Sequence, residues 1–292
     1  MAYNYVTKDP GALDQAITQG LVTSALGVPE VTIVNGGKSF TLTTISTSGL
    51  KAHGRGKGFN AGTVANDKTV YTMGQDRDIE FYVDSQDVDE TNQDLAVANV
   101  SKVFIEEQVQ PEIDAYRFST LAKGAGTSVT ETLTVDNVYS RIKAALLPVR
   151  KYGVQNIVGF VSSEVMDMLE RSKEFTRSIT NQNVGMTALE SRVTSLDGVQ
   201  LVEVWDDSRF KDAFDFTDGY KPKTGAHDIN FLLVVKPAVI PVVKENAVYM
   251  FAPGEVGQGD GYLYQNRLYH DLFILKNKKD GVSVSIKGTP AA

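Results

Sequence analysis

The stretch Asp78-Ile-Glu-Phe-Tyr-Val-Asp-Ser-Gln-Asp-Val-Asp-Glu-Thr-Asn92 decides how the chain is read. In its first half Ile79, Phe81 and Val83 alternate with Glu80, Tyr82 and Asp84, the period-2 pattern of a half-buried strand. The second half drops that pattern and gathers Asp84, Asp87, Asp89 and Glu90, with Asp94 just beyond. Carboxylates crowd a helix start because the dipole is positive there. A rod helix is therefore predicted over 92–118, with Leu95, Ala98, Ile105, Val109, Ile113 and Tyr116 on one face. Ala96, Val100 and Val103 form a second stripe on its first half. At about 1.5 Å per residue the rod spans about 40 Å. Pro111 lacks a backbone donor, so a kink or two helices nearly in line are expected there.

Working toward the N-terminus, residues 40–45 and 69–83 read as strands, and the glycine-rich stretch from Gly49 to Gly62 between them cannot pack a core. The simplest arrangement is a long antiparallel hairpin with a flexible tip. Residues 1–35 read as an extended arm, in which only Leu13, Ile17, Leu21 and Val22 hint at a short helix after Asp9-Pro10-Gly11. A two-stranded hairpin is marginal alone in water. Its apolar positions Phe40, Leu42, Ile79, Phe81 and Val83 need cover, so this projecting front part calls for neighbouring subunits.

Working toward the C-terminus, a second helix is predicted over 135–152, with Val138, Ile142, Leu146 and Val149 on one face, Thr134 as N-cap and Gly153 past the end. A strand over 156–161 leads into a helix through Val165, Met168 and Leu169, capped by Ser162 or Ser163. The polar stretch 172–191 reads as mobile, and Asp197-Gly198 marks a tight hairpin. Strands follow over 229–235, 239–243, 262–276 and 282–286. The fold class is α+β, with a mixed α/β unit in the middle.

Composition narrows the function classes. The 292 residues carry a formal charge of −7, no cysteine and three histidines, His53, His227 and His270. Disulfide frameworks, thiolate metal sites and cysteine nucleophiles are excluded, and a sequence-reading nucleic-acid binder coated in Lys and Arg is disfavoured. No basic leader precedes an apolar stretch, and the longest apolar run, 231–235, is far short of the roughly 20 residues that span a bilayer. A protein made and folded in the cytoplasm, with no membrane partner, is expected.

Each apparent chemical motif has a plainer explanation. Gly56-Lys-Gly-Phe-Asn-Ala61 has dinucleotide-loop spacing, but strand-like sequence follows where a helix is required. Asp87-x-Asp89 starts like a calcium loop, yet its sixth position is Asn92 and its twelfth is Ala98. Glu106 and Glu107 are adjacent on a helix and point about 100° apart. His270 lies in a strand with no activated Ser or Lys beside it and reads as a polar contact within the sheet; Trp205 reads as a core or interface anchor. No catalytic residue, metal ligand or cofactor is predicted.

Charge is the more informative signal. Between Asp76 and Asp94 eight acidic residues accompany one base, Arg77, a local balance of −7 that equals that of the whole chain. The hairpin tip has the opposite sign, with Lys51, Arg55 and Lys57 and no acid between Gly49 and Gly62. The basic tip of one subunit is therefore expected to contact the acidic helix start of another, at Asp84, Asp87, Asp89 and Glu90.

The order of arm, hairpin, acidic approach, rod, α/β unit and terminal sheet resembles the major capsid protein of tailed double-stranded DNA bacteriophages, whose shell fold is shared with encapsulins and the herpesvirus capsid floor. The stretches that carry the resemblance are 78–92, Val109-Gln-Pro-Glu-Ile-Asp-Ala-Tyr116, Ile157-Val-Gly-Phe-Val-Ser162 and Ala238-Val-Ile-Pro-Val-Val243. It implies an N-terminal arm at 1–35 and an extended β-hairpin loop at 36–84. It further implies a peripheral domain with a spine helix at 85–132, an axial domain at 133–255 and peripheral closing strands at 256–292. The implied function is a structural subunit that assembles as pentamers and hexamers into an icosahedral shell around packaged DNA, without sequence-specific binding, in the host bacterial cytoplasm. The implied partners are a separate scaffolding protein, since no scaffolding segment fits before the arm, a portal and a decoration protein. Lys51, Lys57 and Lys68 are available for the loop crosslink some relatives make, but no partner asparagine is identifiable and the crosslink is not predicted.

Three other readings stay open. An encapsulin-type nanocompartment keeps the fold and changes the cargo. A phage tail or adhesin module predicts mostly strands. An enzyme needs paired catalytic groups that the sequence does not show.

Overall fold

The computed structural model describes residues 18–27, 38–53, 59–90, 97–173, 195–255 and 259–289. Strands β1 (Ser39–Thr47) and β2 (Val64–Thr72) pair antiparallel, from Ser39 opposite Thr72 to Thr47 opposite Val64. The strand expected over 69–83 breaks in two. Met73 is buried and Gly74 donates its N–H to the Asp271 carboxylate at 2.8 Å, which ties the chain down where it changes sheet. Strand β3 (Gln75–Asp84) then pairs elsewhere and leads into α1 (Ser85–Glu90).

The rod is a continuous helical run made of α2 (Val97–Phe104), a π-helical turn (Ile105–Val109) and α3 (Gln110–Gly124). No simple kink marks Pro111. The wide turn precedes it and places the proline in the first turn of α3, where a missing donor costs least. The run passes the expected end at 118 because Leu121 and Ala122 continue its buried surface. Its predicted start, 92–96, lies outside the described residues.

Strand β4 (Thr127–Glu131) and helix α4 (Val138–Val149) follow. Thr134 does not cap α4 with its side chain; its carbonyl accepts from the Val138 N–H at 3.0 Å, and the helix starts later than 135. Strand β5 (Ile157–Ser162) runs into α5 (Ser163–Arg171), where the Ser162 hydroxyl caps the Val165 N–H at 3.4 Å. Residues 174–194, most of the stretch expected to be mobile, lie outside the described residues. Strands β6 (Ser195–Leu196) and β7 (Val199–Val204) flank Asp197 and Gly198, whose φ values of 51° and 81° are what a tight hairpin turn demands. The remaining strands are β8 (Phe214–Asp215), β9 (Lys221–Pro222), β10 (Ile229–Val235), β11 (Val239–Phe251), β12 (Gly261–Ile274) and β13 (Val282–Lys287).

Among the described residues a mixed sheet of order β4-β13-β10-β5-β7-β6 forms the centre. Every residue of β5 and β10 is buried, which is why both read as unbroken apolar runs. Alternation still sorts their faces. Val161, Phe231, Leu233 and Val235 pack under α4 and α5, while Val158, Phe160, Leu232 and Val234 pack with Phe118 and Leu121 of α3. The second sheet, β11-β12-β3, is antiparallel. Strand β12 lies in this sheet and β13 in the central one.

The arm is not left waiting for a neighbour over the residues described. Leu21 enters a 3₁₀ turn, Val22–Leu26, and Val22, Thr23 and Leu26 are buried against α3 and the central sheet. The fastening is polar. Asp114, in the middle of α3 and wholly buried, accepts from the Val22 N–H (2.9 Å), the Thr23 N–H (2.9 Å) and the Thr23 hydroxyl (2.7 Å), and pairs with Arg209 at 3.2 Å. Arg209 also donates to the Gln19 carbonyl and twice to Asp206, and Arg117 donates to the Thr23 hydroxyl. Burial pushes the Asp114 carboxyl up from its ordinary range, yet each oxygen already receives two donors, which leaves no room for a proton.

His270 does not make the polar contact expected of it. It is fully buried on β12, its ring edge-on to Tyr116 at 5.3 Å, and neither ring nitrogen has a hydrogen-bond partner. Burial, helped by the positive charges of Arg117 and Arg77, holds its pKa at about 3. The neighbouring Asp271 carboxylate is turned to the Tyr116 hydroxyl and the Gly74 N–H.

Two outcomes follow. Asp114→Ala leaves two buried guanidiniums with Asp206 as their one remaining carboxylate and unpairs the Val22 and Thr23 N–H groups; it is expected to cost about 3–5 kcal/mol, seen as a lower urea midpoint, with earlier proteolysis near residues 18–27, and an unchanged midpoint contradicts the assigned role. His270 is neutral when folded but protonates when unfolded below about pH 6.5, so the unfolded state binds the extra proton and stability falls as pH drops from about 6.5 toward 3. His270→Phe, or the smaller His270→Leu, is expected to flatten that limb in urea titrations at several pH values, and a slope equal to the parent's contradicts it.

Candidate assembly surfaces

The base of the hairpin is covered by its own chain. Phe40, Tyr71 and Phe273 form an aromatic trio with centroids 5.2–5.5 Å apart, and Leu42 packs beside them. Farther along, the Lys276 N–H donates to the Tyr71 hydroxyl at 3.3 Å and Asn277 donates to the Thr44 hydroxyl at 3.2 Å. The expectation that Phe40, Leu42, Phe81 and Val83 need a neighbour is thus corrected. Phe81 is also covered within the chain, packed edge-on to Phe104 at 5.1 Å, and Val83 is half-buried on the same side of β3. On the ribbon the uncovered apolar groups are Ile45, Val64 and Val70 on its free face and Leu50 and Phe59 at its tip; Ile79 of β3, Leu147 of α4 and Val243, Val248, Tyr249 and Met250 of β11 are exposed as well.

The tip is ordered by its own polar groups where it is described. The Lys51 ammonium donates to the Ala61 carbonyl and the Asn60 amide to the Ala52 carbonyl, each at 2.8 Å. Arg55 and Lys57 lie outside the described residues.

The acidic strand has two distinct sides. Asp76, Asp78 and Glu80 of β3 face outward, while Arg77, Phe81 and Val83 face inward, as the alternation predicts. Asp76 pairs with Arg267 at 2.7 Å, and that hydrogen bond holds its carboxyl below the usual range despite slight burial. Arg77, the one base in the acidic stretch, turns inward to Glu112 at 2.6 Å and to the carbonyls of Gly219 and Phe216. It therefore does little to offset the outward negative charge. Asp84 accepts from the Gln86 N–H at 2.9 Å at the start of α1, and Asp87 is exposed in the first turn. Asp89 and Glu90 belong to α1, their side chains outside what is described.

Between the inner side of β3, the π turn and β12 lies an open cavity of about 280 Å³, lined by Arg77, Ile79, Phe81, Phe104, Val109 and Leu268 among others. Sequence reading missed it, although Pro111 was the sign that the helix departs from regularity just there. Trp205 is not a core anchor: it is 46% exposed, and its N–H donates to the Gln19 side chain at 3.1 Å. The dinucleotide-like loop is followed by β2 rather than a helix, and among the described residues no three His, Asp or Glu side chains converge on a possible metal site. No described helix is long and apolar enough to cross a membrane.

No protein-family model and no curated protein matches the sequence. Solved structures do match in three dimensions. The capsid structure of the cyanophage P-SCSP1u aligns with a TM-score of 0.71 at 13% identity, covering 98% of this chain and 93% of that one. The asymmetric unit of the bacteriophage PhiM1 mature capsid gives 0.67 at 14% identity, covering 100% and 93%. A structure from Mycobacterium phage Che8 gives 0.67 at 15% identity, covering 97% and 98%. Similarity over nearly the full length of these structures, helices and strands together, is the finding that identifies the architecture: the chain has the fold of the tailed-phage major capsid protein.

Proposed function

We propose that the chain is the structural subunit of an icosahedral phage shell, assembling as pentamers and hexamers around double-stranded DNA in the host cytoplasm. The observation that carries the reading is a ribbon held at its base by the chain's own aromatics while its free face and tip expose Ile45, Leu50, Phe59, Val64 and Val70. Apolar surface of that size on a projecting element is stabilised by burial against another molecule. The tip's Lys51, Arg55 and Lys57 are opposite in charge to the outward acids of β3 and α1, and the partner of a shell subunit is another copy.

Within this reading the chain divides into an arm (1–35), an extended loop (36–84), a peripheral domain (85–132 with 256–292) and an axial domain (133–255) that lines the capsomer centre. A scaffolding protein, a portal and a decoration protein are the further partners. Lys51, Arg55 and Lys57 of one subunit approach Asp84, Asp87, Asp89 and Glu90 of the next. The role is structural, and the overall negative charge suits it, because a wall that neutralised many phosphates would hold DNA in a salt-dependent grip.

Electron microscopy of the protein expressed with its scaffolding protein tests the assignment: closed particles containing DNA or competent to receive it support it, and particles filled with protein cargo, or none at all, contradict it. Arg55→Glu with Lys57→Glu is expected to slow or block particle formation while leaving the subunit folded by circular dichroism. An unchanged particle yield removes the charge-docking contact.

A further inference from the structure

Among the described residues no side chain fills the cavity beside the π turn. Its floor is apolar, with Ile79, Phe81, Phe104, Val109 and Leu268; the Arg77–Glu112 ion pair borders it, and so do Asp78 and Asp218 at exposed positions. At about 280 Å³ it is roomier than the roughly 150 Å³ that suffices to hold a benzene ring in a protein interior. A ring arriving on a basic segment would find both a hydrophobic seat and charge of the opposite sign.

The chain offers such a segment. Phe59 and Leu50 at the hairpin tip are as exposed as isolated residues, at 101% and 106%, and belong to a stretch of sequence that carries Lys51, Arg55 and Lys57. They cannot reach the cavity of their own molecule. The ribbon is held rigid by a register of nine residues a strand, about 30 Å long. Its contacts advance from Phe273 to Lys276 and Asn277, whereas the cavity lies back along β12 at Asn266 and Leu268. The ribbon therefore leads away from it.

We propose that the cavity formed by β3, the π turn and β12 is the seat for Phe59 of a second copy of the chain. This rests on the shell-subunit reading and adds to it the residue that anchors the contact and the pocket that receives it. The surrounding charges steer the tip, and the ring supplies the burial that holds it. The π turn has a part in this: by widening the helix between Phe104 and Pro111 it sets Val109 into the wall of the cavity.

The test places a photoreactive ring at the tip, Phe59→p-benzoylphenylalanine, in full-length protein assembled from an equal mixture of nitrogen-15-labelled and unlabelled chains. After irradiation, peptide mass spectrometry is expected to find residue 59 joined to 77–81, 104–109 or 266–268 in mixed-isotope pairs. Particles that form with crosslinks elsewhere, or only within one chain, overturn the seat and leave the shell reading standing. Mixed-isotope crosslinks at the cavity without closed particles support the seat and count against the shell. Neither crosslinks nor particles overturns both. Phe59→Ala, on an exposed tip where folding is not at risk, is expected to raise the protein concentration at which particles first form by about tenfold. An unchanged threshold overturns the seat.

Discussion

A carboxylate with no exposure in the middle of a helix must be answered by donors from other parts of the chain, and Asp114 is answered by four, from three residues. Val22 and Thr23 bring in the arm, and Arg209 brings in the turn after β7, itself neutralised by Asp206. Arg117 joins through the Thr23 hydroxyl. Two carboxylates and two guanidiniums balance one another, so the group is tolerable inside but would not be if any member were missing. Through that group the arm, the rod and the central sheet hold one another in place. Everything that projects from the subunit is mounted on this frame.

The frame lets the molecule keep its two reactive ends apart. At one end the aromatic trio of Phe40, Tyr71 and Phe273 fixes the direction in which the ribbon leaves. At the other, β3 turns Arg77 inward and leaves Asp76, Asp78 and Glu80 outside, beside an unfilled apolar cavity. Opposite charge and matching apolar surface on ends that cannot meet within one chain favour association between chains. In the proposed shell each subunit would give a tip and receive one.

Much of the fold was legible in the residues. Apolar runs marked β5 and β10, Asp197-Gly198 marked its hairpin, and the alternation of β3 held from Glu80 to Val83, while Ile79 is exposed and Asp84 half-buried. The break at Met73 and Gly74 was not legible, because 69–83 keeps strand character throughout and only a long-range bond to Asp271 ends the hairpin. Asp114 and Arg117 lie off the apolar stripe that marked the rod, and their burial comes from an arm and a turn distant in sequence. His270 was read as a polar contact within the sheet because no activated Ser or Lys lies beside it, and nothing local announces that both nitrogens go unpaired. Of the assembly surface, the charges were visible from the start, whereas the cavity needed the π turn, β3 and β12 brought together.

The central claim is that the ribbon's free face and tip find cover only when copies of the chain associate. Hydroxyl-radical footprinting of one preparation, dilute and monomeric in one arm and assembled in the other, addresses it directly. The account predicts that Ile45, Leu50, Phe59, Val64 and Val70 label strongly in the monomer and become protected on assembly, with buried Phe160 unlabelled in both. Equal labelling of those five residues in the two states, in particles that have formed, contradicts it.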